Sequence, residues 1–480
     1  MSSGRPNIIY VFADQWRRGA IGCMKQDPVI TPVMDRFALE SRVFTQAVSC
    51  TPLCSPHRAS LMSGRYAMST GVYTNCKLGE GIMLSPDEVC IGDVLKREGY
   101  ATGYIGKWHL DLPEQNVEQE PASGARHWDA YTPPGPKRHG FDFWYSYGAY
   151  DQHLEPHYWT DSPDMIKVRQ WSPEHETDVA LQFLEERSRS KEQPFALFVS
   201  WNPPHSPYEL VPERYRELYE ELPLQLRPNV SAIDPLQVHT GETVPGGADR
   251  LHRMTKDYYA AVSGLDEQFG RLLEGLRRHG FDDNTIVVLT SDHGELLGSH
   301  GLMAKHSWHE ESIGIPFLIR WPERIAPGTT DELLNTVDIM PTLLSLCGLD
   351  VPDTVQGEDL SAAIRRNAES SGIVHDERCE RYAYISAFPG RKEAIDAYRA
   401  AGLDNRRYGW RGMRSQRYTY VVNKGYAPGE ATERLLYDLE RDPHQLKPLK
   451  LDKAEAHPVA ERMERELARR LKETNDEFTL

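Results

Sequence analysis

The sequence predicts an α/β protein with a doubly wound, mostly parallel sheet, followed by a smaller C-terminal α+β domain. Five short apolar runs are typical of strands buried on both faces, as in a parallel sheet between two helical layers. These runs are residues 8–13, 101–105, 195–201, 285–290 and 316–321. Helical patterns lie between the runs, and alternating strands and helices favour a doubly wound arrangement.

Two helices are predicted most clearly within this α/β region. Residues 256–278 keep an apolar face at helical spacing, formed by Val262, Leu265, Phe269, Leu272, Leu273 and Leu276. Residues 338–347 are predicted to begin with Asp338 as the N-cap and to end before Gly348. Together with the strands, these helices predict a larger α/β domain at residues 1–370.

The pattern changes after about residue 370. Residues 381–387, 417–422 and 435–439 alternate or cluster as short strands. Pro458 is suited to the first turn of a final helix, whose apolar face is formed by Val459, Met463, Leu467 and Leu471. We therefore predict a smaller α+β domain with an antiparallel sheet at residues 371–480.

The composition excludes several classes of protein. Hydrophobic residues make up 39% and charged residues 26%, which is ordinary for a globular protein. The formal net charge of −16, without any basic block, argues against nucleic acid as a partner. No apolar run reaches the roughly 18 residues of a membrane-spanning helix, so no membrane association is expected.

The cysteines and the N-terminus bear on the cellular compartment. Seven cysteines form an odd and scattered set, which does not resemble a disulfide framework. This pattern fits a reducing compartment in which one thiol carries chemistry. The first residues lack the regions of a signal peptide, so we expect a cytoplasmic protein.

Reactive side chains follow four of the five predicted strands. In chain order they are Asp14 and Gln15, then Lys107 and His109, then His205, and finally Asp292 and His293. One such residue is weak evidence, because a strand-end Asp often caps a helix and a lone His is usually structural. The carboxyl ends of parallel strands meet at one edge, where open α/β sheets bind ligands. The four ends together therefore predict one functional site.

A cysteine motif lies between the first two of these strand ends. Cys54 is followed by Pro56, a residue suited to the first helical position, and by Arg58 one turn on. The thiol would then face free backbone N–H groups, and Arg58 can bind an anion in bidentate fashion. A buried structural cysteine is one alternative. A zinc site with Cys50 is another, although no second cysteine pair is present.

The motif Cys54-x-Pro56-x-Arg58, followed by Leu61-x-Ser63-Gly64-Arg65, closely resembles the signature of the sulfatases. Further landmarks occur in the family's order at residues 7–17, 106–110, 202–208, 291–295, Lys305 before 309–312, and 436–439 before Asp442-Pro443. They span nearly the whole chain, so the ordered set is far more specific than the cysteine motif alone. The resemblance implies an alkaline phosphatase-like fold and a sulfuric ester hydrolase.

The resemblance also implies the site residues and cofactors. The metal ligands would be Asp14, Gln15, Asp292, His293 and Cys54, with Cys54 converted to formylglycine by a maturation enzyme; Arg58, Lys107, His109, His205 and Lys305 would surround the sulfate. Calcium is the family's usual ion. Gln15 and His293 stand where many sulfatases have Asp and Asn, which lowers the ligand charge, adds a nitrogen donor and leaves manganese or magnesium open. His57 stands where the family often has Ser, a departure that bears on recognition by the maturation enzyme.

The implied mechanism uses a hydroxyl of hydrated formylglycine to attack sulfur. Lys107, Lys305 and Arg58 would stabilise the sulfate oxygens. His205 is the candidate general acid and His109 the candidate base, although these two roles can be exchanged. An acid matters most for a poor leaving group, so a sulfated sugar is predicted as substrate in preference to an aryl sulfate.

Alternatives remain open for both the substrate and the activity. Residues 150–157 and 410–414 are candidates for lining a sugar pocket, and loop packing explains them equally well. A phosphonate monoester or phosphodiester hydrolase of the same superfamily is the nearest rival, against which Lys107 and His109 favour sulfate. A catalytically silent binding protein is disfavoured, because every position carried over from the family holds a competent residue.

Overall fold

The protein is described by a computed structural model at residues 4–77, 79–365 and 380–480. The predicted domain boundary at 370/371 and Cys379 lie outside these residues. The centre of the molecule is an eight-stranded sheet. In spatial order its strands are Gly328–Asn335, Arg42–Val48, Phe317–Arg320, Thr285–Ser291, Asn7–Asp14, Phe195–Pro204, Ala101–Lys107 and Phe143–Tyr147.

Strand direction within this sheet decides which strand ends meet. The Phe317–Arg320 strand runs antiparallel to both of its neighbours, whereas the other neighbouring pairs are parallel. The predicted mostly parallel sheet is therefore confirmed. The strand predicted at 316–321 is present but reversed, so its carboxyl end lies at the opposite edge. This reversal explains why it was the one predicted strand without reactive residues at its end.

Helices cover both faces of the sheet, as the doubly wound prediction requires. Along the Asn7–Asp14 strand, Ile8 and Tyr10 belong to one hydrophobic core, and Ile9 and Val11 belong to the other. The helices of the described residues are Pro32–Leu39, Cys54–Ser63, Ala67–Thr70, Ile91–Arg97, Ser172–Ser188, Glu213–Arg216, Ala248–His279, Glu310–Ile313, Thr336–Leu346, Ser361–Arg365, Lys392–Ala400 and Pro458–Glu473. None of the helices among the described residues has the length and apolar character needed to cross a membrane.

The two helices predicted in this region are present with different starts. The helix predicted at 256–278 begins earlier and spans Ala248–His279. The helix predicted at 338–347 is Thr336–Leu346, and its N-cap is Asn335 rather than Asp338. Asp338 instead completes a capping box, because its carboxylate accepts from the Asn335 backbone N–H at 2.9 Å.

A five-stranded antiparallel sheet forms the C-terminal part of the described chain. Its strands, in spatial order, are Ala383–Ala387, Trp410–Arg414, Tyr418–Asn423, Glu433–Asp438 and Leu449–Leu451. The Pro458–Glu473 helix packs on the sheet through the predicted apolar positions Met463, Leu467 and Leu471. Two smaller sheets contain His157–Tyr158 with Ile166–Lys167, and Leu302–Met303 with Leu236–Val238 and Thr243–Val244.

The residues 410–414 do not line a sugar pocket. They form a buried strand of the C-terminal sheet, paired on both sides. The Arg411 guanidinium is fully buried against the carboxylate of Asp476, with Nε and Oδ2 at 2.6 Å. Loop packing was the alternative interpretation, and strand packing is what the structure shows.

The C-terminal sheet contacts the loops at the carboxyl edge of the large sheet. Arg414 donates to Glu310 at 3.1 Å, and Glu310 also accepts from Arg18 at 2.5 Å. The Ser386 backbone N–H donates to the Cys50 carbonyl at 2.9 Å, and the Trp410 indole N–H donates to the His306 carbonyl at 2.8 Å. Burial alone would raise the pKa of Glu310, but the two arginines lower it to about 2.

Candidate active site

The predicted site residues lie at one edge of the large sheet. Asp14, Lys107, His205 and Asp292 end or follow four adjacent parallel strands. Cys54 is the first residue of the Cys54–Ser63 helix, so the helix begins two residues earlier than a start at Pro56 would give. The thiol thereby lies at the N-terminal end of a helix, where partial positive charge favours an anion.

Four buried side chains converge on a candidate metal centre. The ligand atoms of Asp14, Cys54, Asp292 and His293 all lie within 4.8 Å of one another. The Cys54 Sγ atom is 3.5 Å from Asp14 Oδ1 and 3.4 Å from His293 Nε2. His293 Nε2 is 3.5 Å from Asp14 Oδ1 and 3.6 Å from Asp292 Oδ1.

The His293 ring is oriented as a metal ligand. Its Nδ1 atom lies 3.0 Å from the Gly294 carbonyl oxygen, which can only accept, so Nδ1 carries the proton. The Nε2 lone pair therefore points at the cluster. Two carboxylates and an imidazole nitrogen form a donor set that fits a divalent cation, and a backbone contact that orients the ring is typical of metal-bound histidine.

The pKa values of the two carboxylates diverge. Burial and the neighbouring Asp14 raise the pKa of Asp292 to about 6. Burial would also raise the pKa of Asp14, but Lys107, His205 and Arg58 hold it well below its usual value. Two buried carboxylates this close resist full ionisation until a cation compensates them. The electrostatics therefore agree with a bound metal ion.

Arg58 contacts both carboxylates of the candidate metal centre. Its buried guanidinium donates to Asp14 Oδ2 at 3.0 Å and to Asp292 Oδ2 at 3.2 Å. It also donates to the Lys107 carbonyl at 2.6 Å and to Ser200 Oγ at 2.7 Å. Arg58 thus fixes the two carboxylates of the metal centre, and direct contact between Arg58 and a sulfate group stays a prediction.

The two predicted lysines flank the cluster. Lys107 Nζ lies 2.7 Å from Asp14 Oδ2 and 4.0 Å from Cys54 Sγ. Lys305 Nζ donates to the side-chain oxygen of Gln15 and, at 3.1 Å, to His205 Nε2. Burial and Asp14 raise the pKa of the Cys54 thiol, but Lys107 and Lys305 hold it well below its usual value. The site therefore stabilises negative charge at residue 54.

The two predicted histidines differ in their hydrogen bonds. His109 Nε2 lies 3.1 Å from the Cys76 carbonyl oxygen, so Nε2 is the donor and Nδ1 keeps its lone pair. His109 Nδ1 is buried without a hydrogen-bond partner among the described residues. His205 Nδ1 donates to the Ser206 carbonyl at 2.7 Å, which leaves Nε2 directed at Lys305. Burial lowers the pKa of His109, so the ring is neutral.

Gln15 lies beside the cluster and is held there by a residue that sequence reasoning did not single out. Its Nε2 atom donates to Glu295 Oε2 at 2.5 Å and to the Tyr208 hydroxyl at 3.2 Å. The other Glu295 oxygen accepts from the backbone N–H groups of Leu297 at 2.8 Å and Ala304 at 2.7 Å. Glu295 therefore holds the amide nitrogen of Gln15 and leaves the amide oxygen facing Lys305.

We expect Glu295→Gln to weaken metal binding. Three donors converge on the Glu295 carboxylate, and the N–H group of an amide in its place would face at least one of them. Loss of such an orienting partner lowers metal affinity about 10- to 100-fold. Calorimetric titration of the metal-free variant with Ca²⁺ measures the change, with Glu176→Gln as a control, because the buried Glu176 binds Tyr158 instead. Equal affinities for the Glu295 variant and wild type would contradict the orienting role.

Asn202 and Asp151 are further residues that the sequence did not single out as part of the site. Asn202 Oδ1 accepts from Lys107 Nζ at 3.0 Å, and Asn202 Nδ2 donates to Asp151 Oδ1 at 3.0 Å. Asp151 Oδ1 is also 3.6 Å from His205 Nδ1. Of the candidate pocket segment 150–157, Asp151 therefore contacts the site residues. The run Asn202-Pro203-Pro204-His205 at a strand end was the signal that could have identified Asn202.

This fold and this site define a hydrolase of anionic esters, and comparison with known proteins agrees. The Sulfatase family model matches residues 6–349, and a model described as N-sulphoglucosamine sulphohydrolase, C-terminal, matches residues 298–473. The chain belongs to the sulfatase family and is a sulfuric ester hydrolase, which confirms the resemblance seen in the sequence.

Three similar proteins show how far the likeness extends. An endo-4-O-sulfatase from Bacteroides thetaiotaomicron is 38% identical over 98% of this chain and 92% of its own length. An ulvan-active sulfatase from Formosa agariphila is 34% identical over 99% of this chain and 82% of its own length. The crystal structure of the sulfatase yidJ from Bacteroides fragilis has a TM-score of 0.83 at 36% identity, covering 100% of this chain and 98% of that one.

Proposed function

We propose that the chain hydrolyses sulfate esters of sugars. The nucleophile would be a formylglycine, which a maturation enzyme forms from Cys54. One divalent metal ion would assist it, and Ca²⁺ is the first candidate for this ion. The observation that carries this proposal is the cluster of Asp14, Cys54, Asp292 and His293, where two lysines stabilise negative charge at residue 54. Two relatives, the ulvan-active sulfatase and an N-acetylglucosamine-6-O-sulfatase from Bacteroides thetaiotaomicron, support a sugar as the substrate.

The metal ligands proposed are the four clustered residues together with Gln15, which lies next to them. The Gln15 backbone N–H donates to Asp292 Oδ1 at 3.0 Å, so the two ligands are linked directly. A bound divalent ion would lower the pKa of a formylglycine hydroxyl and polarise the sulfate group. Calcium prefers oxygen ligands, whereas His293 supplies nitrogen, so Mn²⁺ and Mg²⁺ are the alternatives to test.

His109 is placed to accept a proton. Its Nδ1 lone pair has no other partner among the described residues, and its ring is neutral because burial lowers its pKa. A neutral imidazole beside residue 54 can take a proton from a hydroxyl there. We therefore assign the base role to His109, which leaves the acid role to His205.

His205 is the proposed donor of a proton to the leaving oxygen. Its Nδ1 atom donates to a backbone carbonyl, so Nε2 faces the site, where it accepts from Lys305. The acid role therefore requires Nε2 to gain a proton and to exchange the contact with Lys305 for one with the leaving oxygen. The carboxylate of Asp151 lies 3.6 Å from Nδ1. Lys305 and Lys107 would hold the sulfate oxygens as charge develops on them.

We expect His205→Ala to discriminate between leaving groups. Sugar alkoxides need protonation and phenolates do not, so kcat/KM should fall about 10²- to 10⁴-fold for a sugar sulfate and less than about tenfold for 4-nitrophenyl sulfate. Both substrates are measured with wild type and with the variant. His153→Ala serves as a control, because His153 Nε2 only contacts the His205 carbonyl at 2.9 Å.

Two results would contradict this proposal. Equal losses on both substrates would show that His205 binds sulfate without protonating the leaving group. Faster wild-type cleavage of phosphonate monoesters than of every sulfate ester tested would favour the rival activity. Lys107 and His109 are the residues that favour a sulfatase over a phosphonate or phosphodiester hydrolase. Lys107 Nζ lies 4.0 Å from Cys54 Sγ, and the His109 carbonyl accepts from Ser55, next to Cys54.

A further inference from the structure

One tryptophan of this chain is exposed. Of the ten tryptophans, nine are buried, whereas Trp128 is 46% exposed. A large exposed aromatic ring is informative because burial would ordinarily stabilise it. The position of Trp128 in the fold therefore bears on its function.

Trp128 lies next to a residue of the candidate active site. Its ring centroid is 6.2 Å from that of His109, and the two rings meet at 69°. His109 is buried, and its carbonyl accepts from the hydroxyl of Ser55, the neighbour of Cys54, at 2.6 Å. The indole is therefore an exposed neighbour of the residues around Cys54.

The loop that carries Trp128 is held firmly by its neighbour Asp129. One Asp129 carboxylate oxygen accepts from the backbone N–H groups of Ala130, Gly148 and Ala149, at 2.8 to 3.2 Å. The other oxygen lies 2.5 Å from His157 Nε2. An exposed ring on a fixed loop is preorganised, so little entropy is lost when a ligand packs on it.

A cation accompanies the indole. Lys77 Nζ lies 5.7 Å from the Trp128 ring centroid and is partly buried there. The apolar C–H face of a pyranose ring can pack on an aromatic ring, as aliphatic surface generally does. The Lys77 ammonium donates one hydrogen bond to the Gly390 carbonyl, and its remaining N–H groups can attract an anionic group on the same or the next sugar. The pair thus matches a sugar that carries further negative charge.

We infer that Trp128 and Lys77 form a binding subsite for the pyranose ring of an anionic saccharide next to the scissile sulfate. This inference rests on the proposed function, because it requires a sugar sulfate at residue 54. The subsite makes Trp128 a determinant of saccharide specificity and leaves the chemistry to the residues around Cys54.

The test compares saccharide and aryl substrates in Trp128→Ala. The substrates are a chondroitin 4-sulfate tetrasaccharide, an ulvan oligosaccharide and 4-nitrophenyl sulfate. For the saccharide that wild type cleaves faster, KM should rise about tenfold with little change in kcat, since an aromatic contact is worth on the order of one factor of ten. The loss on 4-nitrophenyl sulfate should be much smaller.

Three matched variants complete the experiment. Trp128→Phe keeps an aromatic face and should restore most of the affinity. Val117→Ala, which alters another exposed side chain of the same irregular segment, should behave as wild type. Lys77→Gln should raise KM for the anionic saccharide, and added salt should reduce the difference between that variant and wild type.

The possible outcomes separate the inference from the proposed function. Wild-type cleavage of a saccharide with an unchanged KM in Trp128→Ala would overturn the subsite and leave the proposed function standing. Wild-type cleavage of 4-nitrophenyl sulfate alone, with no saccharide turned over, would overturn the sugar substrate and the subsite together. A rise in KM that Trp128→Phe reverses would support both.

Discussion

Cys54→Ala is expected to lose sulfate release almost completely, by about 10⁴- to 10⁶-fold in kcat, which is the scale for removal of a catalytic nucleophile. Alanine offers neither the thiol that is modified nor any group that can attack sulfur. Cys54 is buried, and the loss of one sulfur atom there costs about 1 kcal/mol of stability at most. The variant should therefore stay folded, which circular dichroism and the melting temperature will show.

The control for this experiment is Cys50→Ala. Cys50 is also fully buried, four residues before Cys54, and lies in the core beneath the C-terminal sheet. That variant should keep most of its activity. The intact mass of the peptide that contains Cys54 gives an independent measurement, because an aldehyde and a thiol differ in mass. An active protein whose Cys54 is wholly an unmodified thiol would remove formylglycine from the mechanism.

Asp14→Ala and Asp292→Ala should each lose bound metal and activity together. Asp14 interacts with Lys107 and Arg58, and both carboxylates belong to the cluster around His293. If either carboxylate is removed, the positive charge of Lys107 and Arg58 is less well compensated where the metal ion should bind. Metal affinity should therefore fall further than the loss of one ligand alone would explain. We expect kcat/KM to fall at least about 10³-fold in each variant.

Elemental analysis of purified wild type and both variants measures the metal directly. Treatment with a chelator should inactivate wild type, and titration back with Ca²⁺, Mn²⁺ or Mg²⁺ identifies the ion that restores turnover. Asp111→Asn is the matched control, since this buried aspartate pairs with Lys137 at the same side of the sheet. Active wild type without any divalent ion would contradict the metal centre.

The sequence predicted the position of the site well because of how parallel sheets are built. Reactive residues at the ends of separate apolar runs become neighbours when the strands run in the same direction. Direction itself was not readable for residues 316–321, since the antiparallel strand there is as apolar as its neighbours. Three strands of the sheet were not predicted: Arg42–Val48, Phe143–Tyr147 and Gly328–Asn335. Gly328–Asn335 is largely polar and partly exposed over its first half, so it lacks the apolar run that marked the predicted strands.

Side-chain direction limited the rest of the prediction. The sequence placed Arg58 one helical turn from Cys54 but could not show that its guanidinium points at Asp14 and Asp292. The contact between Gln15 and Glu295 joins residues 280 positions apart, and no local pattern encodes it. For residues 410–414 the sequence left a sugar pocket and packing open, because Trp and Arg are typical of ligand sites and of buried contacts alike; here they are buried in a strand.

The contacts of the C-terminal sheet bear on how this protein can be divided. Arg414 reaches Glu310, Ser386 holds the carbonyl of Cys50, and Trp410 holds that of His306, next to Lys305. The segments that carry Cys54, the proposed nucleophile, and Lys305 are therefore held in place by contacts from the far end of the chain. A shortened enzyme that ends after the large sheet would retain every proposed metal ligand yet lose this bracing. A chimera that joins the large-sheet part of this chain to the C-terminal sheet of a relative should fold only if both partners of each of these contacts come from the same protein or match it.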